Sequence, residues 1–127
     1  MEALVKPVNH IFKTVACPKC STLSKRNSLR TRRVRDIGER NRPLILEVTY
    51  SVHRCKHCNR FFNNPHPHIA PPSCRYTTRV VRHAVEMRKR GLSLEKTRWE
   101  MRRLYFVDIP ESTLHDMQAM EESKWTI

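Results

Sequence analysis

The chain carries Cys17-Pro18-Lys19-Cys20 and, after 34 intervening residues, Cys55-Lys56-His57-Cys58. Two residues between cysteines let one tight turn present both sulfurs to a single ion, and zinc binds about four such sulfurs in a tetrahedron. One Cys-x-x-Cys pair could equally be a redox dithiol, whereas two pairs strongly favour a metal site. We therefore predict that Cys17, Cys20, Cys55 and Cys58 hold one structural zinc ion.

Disulfides and a catalytic metal are the alternatives for these cysteines. Structural disulfides need an oxidising compartment, and the N-terminus from Met1 to Lys6 has no apolar run of signal-peptide length. A catalytic zinc keeps one position open and usually has histidine or carboxylate ligands. Four cysteines close the shell, so we expect no enzymatic reaction there. The fifth cysteine, Cys74, is expected to be a small buried thiol outside the site.

The segment between the two pairs is longer than in compact zinc fingers, so the chain must return to its start, which a β-hairpin achieves. From Pro43 to Cys55 apolar and polar residues alternate, which predicts a strand with one buried face. Its apolar face comprises Leu44, Leu46, Val48, Tyr50 and Val52. Arg60-Phe61-Phe62 can supply another strand. Residues 1–62 are therefore predicted to form a three-stranded antiparallel zinc ribbon, with a short strand or lead-in near Ile11 and Phe12.

Beyond the ribbon, four prolines between residues 63 and 76 exclude a helix or a central strand and predict a linker. From Thr77 the apolar spacing becomes helical. Gly91 suits a helix C-terminus, Ser93 can cap a second helix to Tyr105, and Pro110 suits the start of a third. The expected inward residues are Val80, Val81, Ala84, Val85 and Met87, then Leu94, Trp99, Met101 and Leu104, then Leu114 and Met117. Residues 77–127 are thus predicted to form a three-helix helix-turn-helix module. With the zinc ribbon, this makes the chain an α+β protein.

The charge of the chain indicates a polyanionic partner. Its 25 lysines and arginines exceed 12 acidic residues, giving a formal net charge of +13. Arginine dominates both basic zones, residues 21–54 and 75–103, and its planar fork suits phosphates and bases. Residues 104–127 are instead acidic. No apolar stretch has the length of a membrane span, so we predict a cytoplasmic protein, nucleoid-associated in a bacterium or archaeon.

Several motifs together resemble the N-terminal region of ISL-type insertion-sequence transposases. They are Arg33-Val34-Arg35-Asp36, the strand leading to His53-Arg54-Cys55-Lys56-His57-Cys58-Asn59-Arg60-Phe61-Phe62, the proline linker, Arg75-Tyr76-Thr77-Thr78-Arg79, Gly91-Leu92-Ser93 and Ser112-Thr113-Leu114. The resemblance runs from about Cys17 to about Met117. It implies binding of terminal inverted repeats, while the catalytic residues of such enzymes lie in a downstream domain. Only 24 residues follow Arg103, so we expect no cleavage or strand transfer from this polypeptide.

With this resemblance, the expected partner is double-stranded DNA. The expected contacts are Arg30, Arg32, Arg33 and Arg35 as one strip on the hairpin, Arg75, Arg79 and Arg82 at the first helix, and Ser112, Thr113, His115 and Gln118 on the third. Because the third helix is acidic, docking onto a transposase catalytic domain or another protein is its alternative role. Two other functions remain open: an RNA-binding zinc ribbon, and a zinc-stabilised interaction module that uses this helix and Trp125.

Overall fold

The computed structural model of the protein describes residues 2–122 and confirms the α+β class. Trp125 therefore lies outside the described residues. The elements are β1 (Leu4–His10), β2 (Thr14–Ala16), β3 (Leu23–Glu39), β4 (Arg42–Cys55), β5 (Arg60–Asn63), α1 (Thr78–Lys89), α2 (Leu94–Tyr105) and α3 (Glu111–Glu122). Within residues 2–122, every helix is too short or too polar to cross a membrane.

The long hairpin of β3 and β4 forms the centre of a five-stranded sheet, where the sequence predicts three strands. As predicted, β4 leads into Cys55 and β5 pairs with it in antiparallel fashion. The unexpected strands lie on either side of Ile11 and Phe12, near which the sequence predicts a short strand or lead-in. β2 pairs with the beginning of β3, and β1 pairs with β4 in parallel, with Val8 opposite Val48. Pro7 fits within β1 because an edge strand tolerates a missing N–H.

The sheet has an inner face that packs against the proline-rich segment, and an outer face on the opposite side. Val34 and Val48 are fully buried on the inner face and pack against Ala70 of that segment. The predicted linker is therefore a packed cover of the sheet, although it contains neither a helix nor a long strand. It ends at Tyr76, which forms a parallel bridge with Arg35. The outer face carries alternate residues such as Val5, which is half exposed.

The three helices begin and end close to where the sequence predicts. Thr77 and Ser93 cap α1 and α2 by accepting hydrogen bonds from the backbone N–H groups of Val80 and Lys96. Gly91 adopts φ +99° just after α1, where glycine is favoured. The helical core comprises Tyr76, Val80, Val81, Ala84, Val85, Met101, Val107, Ile109, Leu114 and Met117. The prediction that Trp99 and Leu104 point inward is wrong, because their side chains are 56% and 44% exposed.

Asp36 joins the sheet to the helices. Its buried carboxylate accepts hydrogen bonds from Thr77 Oγ1 at 2.8 Å and from Arg79 Nε at 2.6 Å, and a second guanidinium nitrogen completes a bidentate pair. Burial disfavours the ionised form, but the bonds from Arg79 and Thr77 outweigh it, so the pKa of Asp36 lies below its usual value. Asp36 therefore stabilises the fold as a carboxylate.

Asp36→Asn is expected to lower the free energy of unfolding at pH 7 by about 1–3 kcal/mol, because it replaces charge-assisted hydrogen bonds with weaker ones. A depressed carboxyl pKa stabilises above the unfolded value of about 4, so the difference from wild type should shrink as pH falls below that value. Urea titrations of the zinc-loaded protein at pH 7 measure the difference in the free energy of unfolding. Glu47→Gln, which breaks an exposed pair with Arg33, should cost less than about 1 kcal/mol; equal losses for both variants would contradict this role of Asp36.

Gly38 lets the end of α2 approach the hairpin. A Cβ at this position would lie 2.6 Å from the carbonyl oxygen of Arg42 and 2.7 Å from that of Tyr105. Both are backbone atoms, so Gly38→Ala should destabilise the protein by about 1–3 kcal/mol through overpacking. Ser28→Ala, at an exposed position of the same strand, should change stability by less than about 0.5 kcal/mol. Similar melting temperatures for the two variants would show that the chain relaxes easily around Gly38.

Candidate metal centre and nucleic-acid interface

The four predicted cysteines meet at one end of the sheet. Their sulfur atoms all lie within 4.8 Å of one another, with 3.5 Å between Cys20 and Cys55 and 4.0 Å between Cys17 and Cys58. A tetrahedron with metal–sulfur bonds of ~2.3 Å has sulfur–sulfur edges of about 3.8 Å. These residues therefore lie close enough to hold one metal ion, and the donor set consists entirely of sulfur.

The two Cys-x-x-Cys turns place their sulfurs in the same way. The residue after each second cysteine adopts the left-handed conformation, Ser21 with φ 63° and Asn59 with φ 54°. Asparagine tolerates this conformation, and the Asn59 side chain also accepts a hydrogen bond from Arg54. One turn leads from β2 into β3, and the other joins β4 to β5. The hairpin thus brings together two cysteine pairs that are far apart in the sequence.

Hydrogen bonds around the sulfurs favour thiolates at two positions. Thr22, through its hydroxyl group and its backbone N–H, lowers the pKa of Cys20 to about 6. Backbone N–H groups of Cys20 and Lys19 lower the pKa of Cys17. The pKa of Cys58 is raised to about 12 by its hydrogen bond to Cys20 and by burial. A cation held by the four sulfurs would remove this penalty, because it would favour the deprotonated form of every ligand.

A buried polar network supports the end of the sheet that carries the four cysteines. His53 Nδ1 lies 2.9 Å from the carbonyl oxygen of Ser24, and its Nε2 lies 2.7 Å from Ser51 Oγ. Asn64 also contacts Ser51 Oγ. Ser51 and His53 belong to the strand face predicted to be polar and exposed, yet both are fully buried. Their mutual hydrogen bonds compensate for that burial.

The structure places the four β3 arginines on two faces. Successive strand side chains alternate, so Arg30 and Arg32 lie on the inner face with Val34, whereas Arg33 and Arg35 lie on the outer face. The single phosphate-facing strip predicted from the sequence is therefore not formed. Arg33 and Arg35 are exposed, and Arg33 pairs with Glu47 across the sheet at 3.0 Å. These two residues remain candidates for one continuous contact surface.

Arg32 is engaged in holding the proline-rich segment. Its guanidinium donates to the carbonyl oxygens of Pro71, at 2.9 Å, and Cys74, and lies 3.2 Å from His66 Nε2. Burial lowers the pKa of Arg32, although a guanidinium stays charged in proteins. His66 Nδ1 in turn contacts the carbonyl oxygen of Asn64. Both ring nitrogens of His66 thus have hydrogen-bond partners within the protein.

The arginines near α1 follow one another along an exposed surface. The backbone of Arg75 pairs with Arg35, while its side chain is exposed. Arg79 is bound to Asp36 yet remains 58% exposed, and Arg82 lies beside it on the next turn. The third predicted group lies on α3, which packs on α1 and α2 through Leu114 and Met117.

The α3 group differs in exposure and in its surroundings. Ser112 and His115 are exposed, whereas Thr113 and Gln118 are half buried. The acidic residues Glu111 and Asp116 lie exposed among them. The four candidate base-contacting residues therefore sit on a helix that exposes acidic side chains.

One further exposed surface, basic and aromatic, lies at the end of the sheet that carries the four cysteines. Lys25, Arg54 and Phe61 are adjacent in register on three neighbouring strands, and the Arg54 guanidinium lies 5.8 Å from the centre of the Phe61 ring. Phe61 is 61% exposed. The sequence does signal this surface, because residues 3–35 and 48–85 contain neither aspartate nor glutamate.

No family model matches the chain, and comparisons with curated proteins and with solved structures found no match.

Proposed function

We propose that the chain is a zinc-stabilised module that binds double-stranded DNA sequence-specifically. The observation that carries this proposal is the charge around the four cysteines. Residues 3–35 carry nine lysines and arginines and residues 48–85 carry six, with no carboxylate in either segment. These segments supply most of the sheet, both cysteine turns and the start of α1. Such a surface attracts a polyanion, because phosphate contacts release condensed counterions.

Zinc is the metal that we propose for the centre. Four thiolates in a tetrahedron select zinc or iron–sulfur chemistry, and a closed all-sulfur shell is typical of structural zinc. The proposed role of the ion is structural: it cross-links β3, β4 and β5 and catalyses no reaction. A small sheet with few fully buried residues gains most from such a link, since modest domains bury a low fraction of their surface.

Phosphate contacts are assigned to the outer face and to α1. Arg33 and Arg35 point to the outer side of β3. Arg79 and Arg82 give α1 a second positive surface on the inner side, where Arg79 is bound to Asp36. Contacts of this kind fix register and affinity, whereas base edges supply specificity. We assign base contacts to Ser112, Thr113, His115 and Gln118 of α3. Its carboxylates can accept a hydrogen bond from cytosine but are repelled by phosphates.

The resemblance to ISL-type transposases supports terminal inverted repeats as the DNA target. The acidic surface of α3 supports a second contact, with a transposase catalytic domain or another protein. Selection of bound sequences from a random duplex pool tests the proposal. Recovery of a defined motif is the expected result, and recovery of a pool without sequence enrichment would contradict specific recognition.

Two specific observations favour other candidates. The exposed Phe61 with Arg54 suits base stacking, which favours an RNA-binding zinc ribbon. The exposed Trp99 and Leu104 of α2 favour a zinc-stabilised protein-interaction module, since aromatic residues are enriched at interfaces. Competition between labelled duplex DNA and RNA separates the first candidate from the proposed function. A shallow salt dependence, with no preference for any nucleic acid, would support the protein-interaction module.

A further inference from the structure

A cleft of about 610 Å³ lies between the proline-rich segment and the inner face of the sheet. Arg32, Arg33 and Arg75 line it, although the guanidinium of Arg33 lies on the outer face, paired with Glu47. The remaining lining is Tyr50, Ala70, Cys74, His66, Pro65, Pro67, Pro72, Asn63, Asn64 and Ser73. None of these lining residues, all within the described chain, carries a carboxylate. The cleft thus combines the guanidinium groups of Arg32 and Arg75 with an aromatic ring and several amide or hydroxyl groups.

The electrostatics of the cleft favour an anion. Three hydrogen bonds hold the Arg32 guanidinium in place, and a guanidinium has about five N–H donors, so others are left for a ligand. Burial raises the pKa of the Cys74 thiol, which keeps it neutral. Burial also lowers the pKa of His66, which keeps that ring neutral at physiological pH. The positive charge of the arginines is therefore not offset within the cleft.

We propose that this cleft binds the terminal nucleotide of a DNA strand that ends in a phosphate monoester. Such a phosphate carries about 1.5–2 negative charges at neutral pH, more than an internal phosphodiester, and guanidinium forks bind its oxygens in pairs. The Tyr50 ring and the prolines offer apolar surface to the base, while Asn63 and Ser73 offer polar groups to its edge. The volume suits one small ligand. This inference rests on the proposed DNA-binding function and names the part of the DNA that the cleft recognises.

The test uses the full chain and short duplexes with a single-stranded overhang that ends in either phosphate or hydroxyl, at the 5′ or the 3′ end. We expect at least about tenfold tighter binding of one phosphorylated end, measured by fluorescence anisotropy. Arg75→Ala should abolish this preference, because the exposed Arg75 guanidinium can be removed without disturbing the core. Arg26→Ala removes the same charge from an exposed position of β3 outside the cleft, and should keep the preference. Unchanged melting temperatures establish that both variants fold.

The outcomes separate this inference from the proposed function. Duplex binding that ignores the terminal phosphate would overturn the cleft assignment and leave the DNA-binding proposal intact. Failure to bind any DNA would overturn both. A free nucleoside monophosphate should compete for the phosphorylated end at lower concentration than inorganic phosphate does. Equal competition by inorganic phosphate would contradict the contact between Tyr50 and a base.

Discussion

Cys55→Ser is expected to abolish stoichiometric zinc binding and to unfold the metal end of the sheet. Cys55 is fully buried at the end of β4, and its sulfur lies 3.5 Å from that of Cys20. Metal-binding free energies of about 10–16 kcal/mol act as folding free energy in such modules. Losing one of four ligands should therefore cost more than about 4 kcal/mol, above the usual range for a single substitution. Metal analysis and thermal denaturation followed by circular dichroism measure both effects.

Cys74→Ser provides the matched control. The chemical change is the same, but Cys74 belongs to the proline-rich segment and lies outside the four-cysteine group. This variant should keep one zinc per chain and lose little stability. Wild-type protein purified without chelator that contains no zinc would overturn the metal assignment. Full zinc occupancy in Cys55→Ser would show that the cysteine is not a required ligand.

Replacement of both Arg33 and Arg35 by alanine is expected to weaken duplex DNA binding by about tenfold or more at moderate salt. Each lost phosphate contact should also reduce the slope of log affinity against log salt by about 1. Removing Arg33 leaves Glu47 without its ion-pair partner on the same face, and this carboxylate then repels the DNA backbone. Anisotropy titrations at several salt concentrations give both quantities.

The control for this pair removes the same charge elsewhere. Lys89 and Arg90 lie exposed at the end of α1, away from the outer face of the sheet. Lys89→Ala with Arg90→Ala should lower affinity only through net charge, with a smaller change in slope. Equal effects of the two double variants would indicate diffuse attraction and would contradict a phosphate-contacting surface at Arg33 and Arg35.

Local patterns predicted the elements that depend on local chemistry. The period-two run from Leu44 to Val52 became β4, because alternate side chains reach one buried face. Ser93 and Gly91 marked the boundaries of α1 and α2, since caps and left-handed positions have strict residue preferences. The clustering of the four cysteines followed from their spacing alone. In each case the interaction that determines the structure joins residues close together in the sequence, or depends on a specific metal-binding residue, cysteine.

Features that depend on distant partners escaped prediction. β1 contains Pro7, and its apolar residues are few. Its pairing depends on β4, which lies about 40 residues away. The sequence pattern placed Ser51 and His53 on an exposed polar face. The partners that compensate for their burial, Ser24 and Asn64, come from another strand and a loop.

The prediction that the four β3 arginines form one strip was wrong for a simpler reason. A dense run of one residue type on a strand is divided between two faces by the alternation itself. Helical spacing also placed Trp99 in the core. The core is instead filled from α1, α3 and Met101, which leaves Trp99 exposed, with the Arg103 guanidinium over its ring.

The central claim is that the basic surface around the metal site binds double-stranded DNA. Its most direct test is a titration of the zinc-loaded full chain against labelled duplex DNA across a salt series, with unlabelled duplex or RNA as competitor. We predict a linear, steep fall of log affinity with log salt, and much stronger competition by duplex than by RNA. A shallow salt dependence without preference for any nucleic acid would contradict the claim.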